Sequence, residues 1–213
     1  MTKLIYDISP KISKKSALFP GDTPFDLSWV LTLNNGDSVN LSKITMSPHT
    51  GAHADAPLHY HSNSETISDR SLEFYLGPCQ VIEVNIKGRI YPKDFSHLSE
   101  FRVKRILFKT NSFPNVELWQ SDFNSLSSKT IDFLSEKGVC LIGIDTPSVD
   151  PFDDKKLETH LAIHNHDMAI LENLDLSKIK PGNYDLIALP LRIECAEASP
   201  VRAILLPENS INF

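Results

Sequence analysis

Cysteine is scarce in this sequence of 213 residues: Cys79, Cys140 and Cys195 lie far apart and form no C-x-x-C pair. Neither a disulfide framework nor a cysteine zinc ribbon is supported, and the three are read as small buried hydrophobes. Glycine is sparse too, and its eight residues never fall as G-x-S-x-G, G-x-x-x-x-G-K-[ST] or G-x-G-x-x-G. The nucleophile elbow, the P-loop and the dinucleotide fingerprint are therefore missing. No basic run exceeds a pair, and 21 Lys and Arg against 27 Asp and Glu leave a formal charge of -6. That balance argues against a phosphate-tracking surface, so no nucleic-acid partner is expected. No apolar run approaches the roughly 20 residues of a membrane span, and Asp7 interrupts the N-terminus before a signal region develops. The expectation is a cytoplasmic protein with no membrane partner.

A hydrophobic share of 41% is enough to build a substantial core, and one domain over residues 1–213 is expected. Strand-like runs occur at Gln80–Val84, Arg105–Phe108, Val139–Ile144, Asp185–Leu189 and Val201–Leu206. One helix is predicted from about Ser128 to Lys137, capped by Ser127 or Ser128 and stopped by Gly138. A second is predicted from about Asp154 to His164, with Leu157 and Leu161 as its inward stripe. The irregular mixture reads as α/β or α+β. Residues 34–79 carry little pattern, which is where grafted function tends to sit.

Four of the eight histidines fall between positions 49 and 61, where random placement puts about half of one. In an extended chain His49, His53, Asp55 and His59 share parity, so one side carries three imidazoles and a carboxylate. Neutral imidazole and carboxylate are the donors that Zn²⁺, Mn²⁺ or Fe²⁺ accept, and Gly51 on that side leaves room for an ion or its water. The plain alternative is a set of surface or satisfied core histidines. His61, followed by Ser62, Asn63, Ser64 and Glu65, reads as an exposed neighbour.

A second cluster runs from Leu157 to Asp167 and contains His160 and His164, four apart and able to share a helix face. The spacing does not choose between them, nor between a ligand and an amphipathic helix. Glu172 follows the apolar run Ala169-Ile170-Leu171, where an acid is costly to bury unless paired or bound to a cation. A strand edge facing solvent is the alternative.

The run His49-Thr50-Gly51-Ala52-His53-Ala54-Asp55-Ala56-Pro57-Leu58-His59 resembles the H-x-G-[TA]-H-x-D-x-P-x-H signature of the metal-dependent cyclase-like hydrolase family. Phe19–Phe25, Tyr75–Cys79, Gly143–Pro151, Ala169–Glu172 and Ala198–Ala203 extend the resemblance over nearly the whole chain, toward its bacterial kynurenine formamidase branch. The resemblance implies an α/β fold, a swivelling β/β/α domain with a small barrel-like mixed sheet and flanking helices, usually a homodimer. It also implies two divalent metal ions per subunit, commonly Zn²⁺.

By that resemblance His49, His53 and Asp55 hold the first ion, Asp55 reaches the second, and His160 and Glu172 complete the ligands, with Glu172 bridging. His164 then has no assigned role, and His59 matches the catalytic acid/base. Phe19 stands where the branch often has Trp, an aromatic set against the aryl ring of an aryl formamide substrate, so it is a substrate-binding candidate. The implied activity is hydrolysis of N-formyl-L-kynurenine to L-kynurenine and formate, in tryptophan degradation. The alternatives are a sister hydrolase acting on isatin or another cyclic amide or ester, and a non-catalytic metal-stabilised binding protein.

Overall fold

The computed structural model describes residues 4–96 and 103–211. In chain order the strands are β1 (Tyr6–Asp7), β2 (Asp26–Leu31), β3 (Leu41–Thr45), β4 (His53–Asp55), β5 (Leu76–Glu83), β6 (Arg89–Ile90), β7 (Arg105–Lys109) and β8 (Ser125–Leu126). Helix α1 (Ser128–Ser135) leads to β9 (Leu141–Ile144), and helix α2 (Glu158–Asn165) to β10 (Ala169–Glu172). The chain closes with β11 (Gly182–Ile187), β12 (Ala198–Pro200) and β13 (Ile204–Pro207). The architecture is mixed α/β, as the resemblance implies: a curled nine-stranded sheet in the order β1-β13-β11-β5-β7-β9-β10-β4-β12.

Strands β5, β7, β9 and β10 run parallel in the middle of that sheet, and the strands on either side are antiparallel. Parallel neighbours need crossovers, and α1 and α2 supply two of them. With both faces covered, the central strands lose the polar and apolar alternation of a half-wetted strand. Every residue of β7, β9 and β10 is buried. One core cluster joins Ile106, Phe108, Ile142 and Ile170 to Ile131 and Leu134 of α1 and Ile163 of α2. The second lies on the other face, where Ala54, Leu107, Leu141 and Leu171 meet Ile8 and Leu205. Each such aliphatic side chain contributes about 1.5–3 kcal/mol of transfer free energy.

Helix α1 starts where the sequence predicts, with the Ser127 hydroxyl accepting from the Thr130 amide. Helix α2 begins at Glu158 rather than near Asp154, because Leu157 adopts a left-handed conformation (φ 51°) that helical backbone excludes. Its buried residues are Thr159, His160, Ala162 and Ile163. The expected inward stripe is wrong: Leu161 is exposed and Leu157 precedes the helix. The cysteines also differ from expectation, since Cys79 is buried but Cys195 is exposed.

Strands β2 and β3 form a separate two-stranded sheet. Trp29, Val30, Leu33, Leu41 and Ile44, along the strands and the loop joining them, are all exposed.

Candidate metal centre

The site gathers around β4. His53 and Asp55 are two apart on one extended strand and face the same way, while Ala54 points into the core. The antiparallel register of β4 with β10 sets Glu172 directly opposite His53, and α2 brings His160 to the same place. The expectation of one continuous extended segment from His49 to His59 is corrected here. Only His53–Asp55 is strand; His49 arrives from a turn and His59 from a 3-10 turn over Pro57–His59. Gly51 does not open space for an ion: it holds φ at 73°, and a Cβ there would lie 2.9 Å from Ile12. Its left-handed backbone makes the turn that returns His49 to β4.

Donor atoms converge tightly. His49 Nδ1 lies 3.1 Å from Asp55 Oδ1. His53 Nε2 is 3.4 Å from Asp55 Oδ1 and 3.3 Å from Glu172 Oε2. His160 Nε2 is 3.5 Å from Asp55 Oδ2 and 3.6 Å from Glu172 Oε1. Donors sharing a tetrahedral cation at about 2.0–2.1 Å stand about 3.3 Å apart, so the spacing suits ion ligation. Two groups of three emerge with ligand atoms mutually within 4.8 Å, His53-Asp55-Glu172 and His49-Asp55-His59, and they share Asp55.

The buried groups lack partners that a cation would replace. Among the described residues, His49 Nε2, His53 Nε2, His160 Nε2 and both Asp55 oxygens are buried with no hydrogen bond, an arrangement costly for a site meant to stay dry. The other ring nitrogens are tied down. His53 Nδ1 donates to the Gly51 carbonyl at 2.9 Å, and His160 Nδ1 donates to Asp150 Oδ2 at 2.7 Å. Such bonds orient each ring so that its Nε2 faces the carboxylates, where a cation taking the place of a proton would find the lone pair. Asp150 also accepts from the Thr159 and His160 amides at the start of α2, and Glu172 Oε1 accepts from the Val149 amide. The residues present fit divalent cations.

Electrostatics follow from the two buried acids. Burial works against protonating His49, but the neighbouring Asp55 outweighs it and lifts the imidazole from 6.5 to about 9. His160 is likewise disfavoured by burial yet raised to about 10, chiefly by its hydrogen bond to Asp150. For Asp55, burial pushes upward, but the surrounding imidazoles hold its carboxyl well below the usual range. His59 goes the other way: its ring opens to the cavity mouth, yet the desolvation it suffers outweighs the pull of Asp55 and lowers it.

His49, His53, His160 and Glu172 floor a cavity of about 260 Å³, with Asp55 behind them, and His59, Phe19, Asp22, Trp119 and Asn173 also line it. Phe19 sits at its rim, its ring centroid 5.1 Å from Trp119 and 5.4 Å from Phe152. All seven sequence candidates therefore meet in one place. His164 does not join them; it stacks on His61 at 4.3 Å, and His61 is exposed. Asp150, Asp22 and Trp119 escaped the sequence reading. Asp150 alone left a signal, an acid shortly ahead of the predicted α2, where helix amides seek an anion.

The Cyclase family model matches residues 6–151. The chain is 47% identical over 204 residues to the kynurenine formamidase of Bordetella pertussis, which covers 95% of this chain and 98% of that one. The chain belongs to the Cyclase family. Two solved structures share the cyclase-family fold. A predicted metal-dependent hydrolase from Bacillus stearothermophilus aligns with a TM-score of 0.81 at 24% identity, over 97% of this chain and 99% of that one. Isatin hydrolase A from Labrenzia aggregata aligns with a TM-score of 0.82 at 20% identity, over 96% and 93%.

Proposed function

We propose that this protein hydrolyses N-formyl-L-kynurenine to L-kynurenine and formate, using two Zn²⁺ ions per subunit, as a cytoplasmic homodimer. The observation that carries the reading is an aromatic-rimmed cavity lined by His49, His53 and His160, whose Nε2 atoms have no hydrogen-bond partner among the described residues. Near full-length identity to a kynurenine formamidase supports the substrate. The two donor groups sharing Asp55 support a pair of ions, and the exposed apolar β2–β3 hairpin supports subunit pairing.

His49, His53, Asp55, His160 and Glu172 would hold the ions, with Asp55 and Glu172 each offering two oxygens. Bound there, divalent cations supply the positive charge that acidifies water and polarises the formyl carbonyl. His59 is neutral near pH 7, because burial lowers it. It can accept a proton as the carbonyl is attacked and return it to the departing aryl amine nitrogen, which leaves poorly as an anion. Phe19, steadied by Trp119 and Phe152, offers an aromatic edge and face to the substrate ring.

The test couples elemental analysis to formate release from N-formyl-L-kynurenine, before and after chelation. The expected result is about two ions per chain and activity that vanishes on chelation and returns with metal. A fully active metal-free preparation overturns the metal reading. Faster turnover of isatin overturns the substrate.

A further inference from the structure

The cavity holds one charged side chain that neither the ion site nor the acid/base step uses. Asp22 lines it beside Phe19, His49 and His59. It is half-buried, and among the described residues no hydrogen bond or ion pair engages its carboxylate. Its placement is fixed locally. The Asp22 amide donates to the Phe19 carbonyl at 3.0 Å, and Gly21 between them has φ 106°. Pro20 before a glycine at positive φ is the sequence of a type II turn, so one rigid corner delivers an aromatic ring and an unpaired carboxylate to the same rim. Among the described residues no Lys or Arg lines the cavity; Asp22 acts through space on His49 but forms no ion pair with it, and Ser148 and Asn173 are neutral polar groups there.

An unpaired acid at the mouth of an aromatic slot calls for a cation on the ligand. An aryl formamide with its formyl group toward the donors carries its ring substituent ortho to that group, and a flexible chain there can turn along the cavity wall to the rim that holds Asp22. In N-formyl-L-kynurenine that substituent ends in an α-amino acid. We propose that Asp22 is a specificity-determining residue that receives the α-ammonium of this substituent, a proposal that rests on the aryl-formamide reading above. Asp22 thereby favours substrates whose tail carries an ammonium group over aryl formamides and cyclic amides of the same core that lack one.

The experiment compares kcat/KM for N-formyl-L-kynurenine with that for N-formyl-2-aminoacetophenone, which keeps the ring, ketone and formamide but lacks the amino-acid tail. Wild-type enzyme is expected to prefer the first. Asp22→Asn, neutral and of the same shape, should shrink that preference roughly 10- to 100-fold, the range of a lost charge-assisted hydrogen bond. The loss should fall mainly in KM, with metal content retained, and Asp22→Glu should restore part of it. Equal loss on both substrates shows that Asp22 acts through His49 or the ions and overturns the proposal, as does an unaltered preference. Wild-type protein that releases formate from neither compound overturns the aryl-formamide reading itself.

Discussion

His49 and His59 lie 4.3 Å apart between ring centroids and are pushed in opposite directions. Asp55 lifts His49 to about 9, while burial lowers His59. Together with His160, raised to about 10, His49 carries a proton in the metal-free protein at neutral pH. A cation needs those lone pairs, so its uptake must expel protons, and affinity should fall as the solution becomes more acidic. Calorimetric titration of chelated protein with Zn²⁺ at pH 7, in buffers of different ionisation enthalpy, should show about one to two protons released per chain; none would contradict the charge assignment. Stability of the metal-free form is linked to the same groups. Both folded-state values are raised, so their contribution is complete below pH 6.5 and is lost as pH climbs through about 9 and 10. The melting temperature of chelated protein should therefore decline across that window. His59 sits in one of the two donor groups, so its role needs its own test. His59→Ala should lose about 10²- to 10⁴-fold in kcat while elemental analysis finds its ions in place; loss of metal instead would make His59 a ligand.

At the scale of elements, the part of the site that sequence made visible is the part built by local spacing. His53 and Asp55 share a side because β4 is extended, so period-two parity holds for that pair. It does not hold for His49 and His59, whose positions come from the left-handed Gly51 and the Pro57 turn. Glu172 stood out for a sound physical reason: an acid in an apolar run is costly unless paired, and β10 is buried along its length. His160 and His164 were indistinguishable by spacing, because the inward face of α2 is set by where the helix begins. Leu157 delays that start and turns Thr159, His160 and Ile163 inward. Asp150 and Asp22 were hidden for another reason. Asp150 shows only as an acid ahead of α2, its bond to the His160 ring being set by where that helix begins, and Asp22 reaches the cavity through a turn and tertiary packing, which no window of sequence reports. The β2 and β3 strands were invisible because neither buries a face, leaving no alternation to read.

For the molecule as a whole, that hairpin is the feature at odds with its surroundings. An isolated two-stranded sheet is marginal in water, yet this one carries Trp29 and Val30 at 60% exposure and Ile44 at 56%. If the hairpin pairs subunits, light scattering should give twice the chain mass of 23.9 kDa, and Trp29→Glu combined with Ile44→Glu should return single chains. A monomeric wild-type protein at micromolar concentration would remove the dimer from the proposed function. Strand β4 is placed very differently. β4 is hydrogen-bonded along both edges, to β10 and β12, so the groups proposed to grip a cation are held in place by the sheet itself. On the proposed reading, loading such a protein is a docking event and not a folding event, and one divalent ion should be exchangeable for another without the chain coming apart.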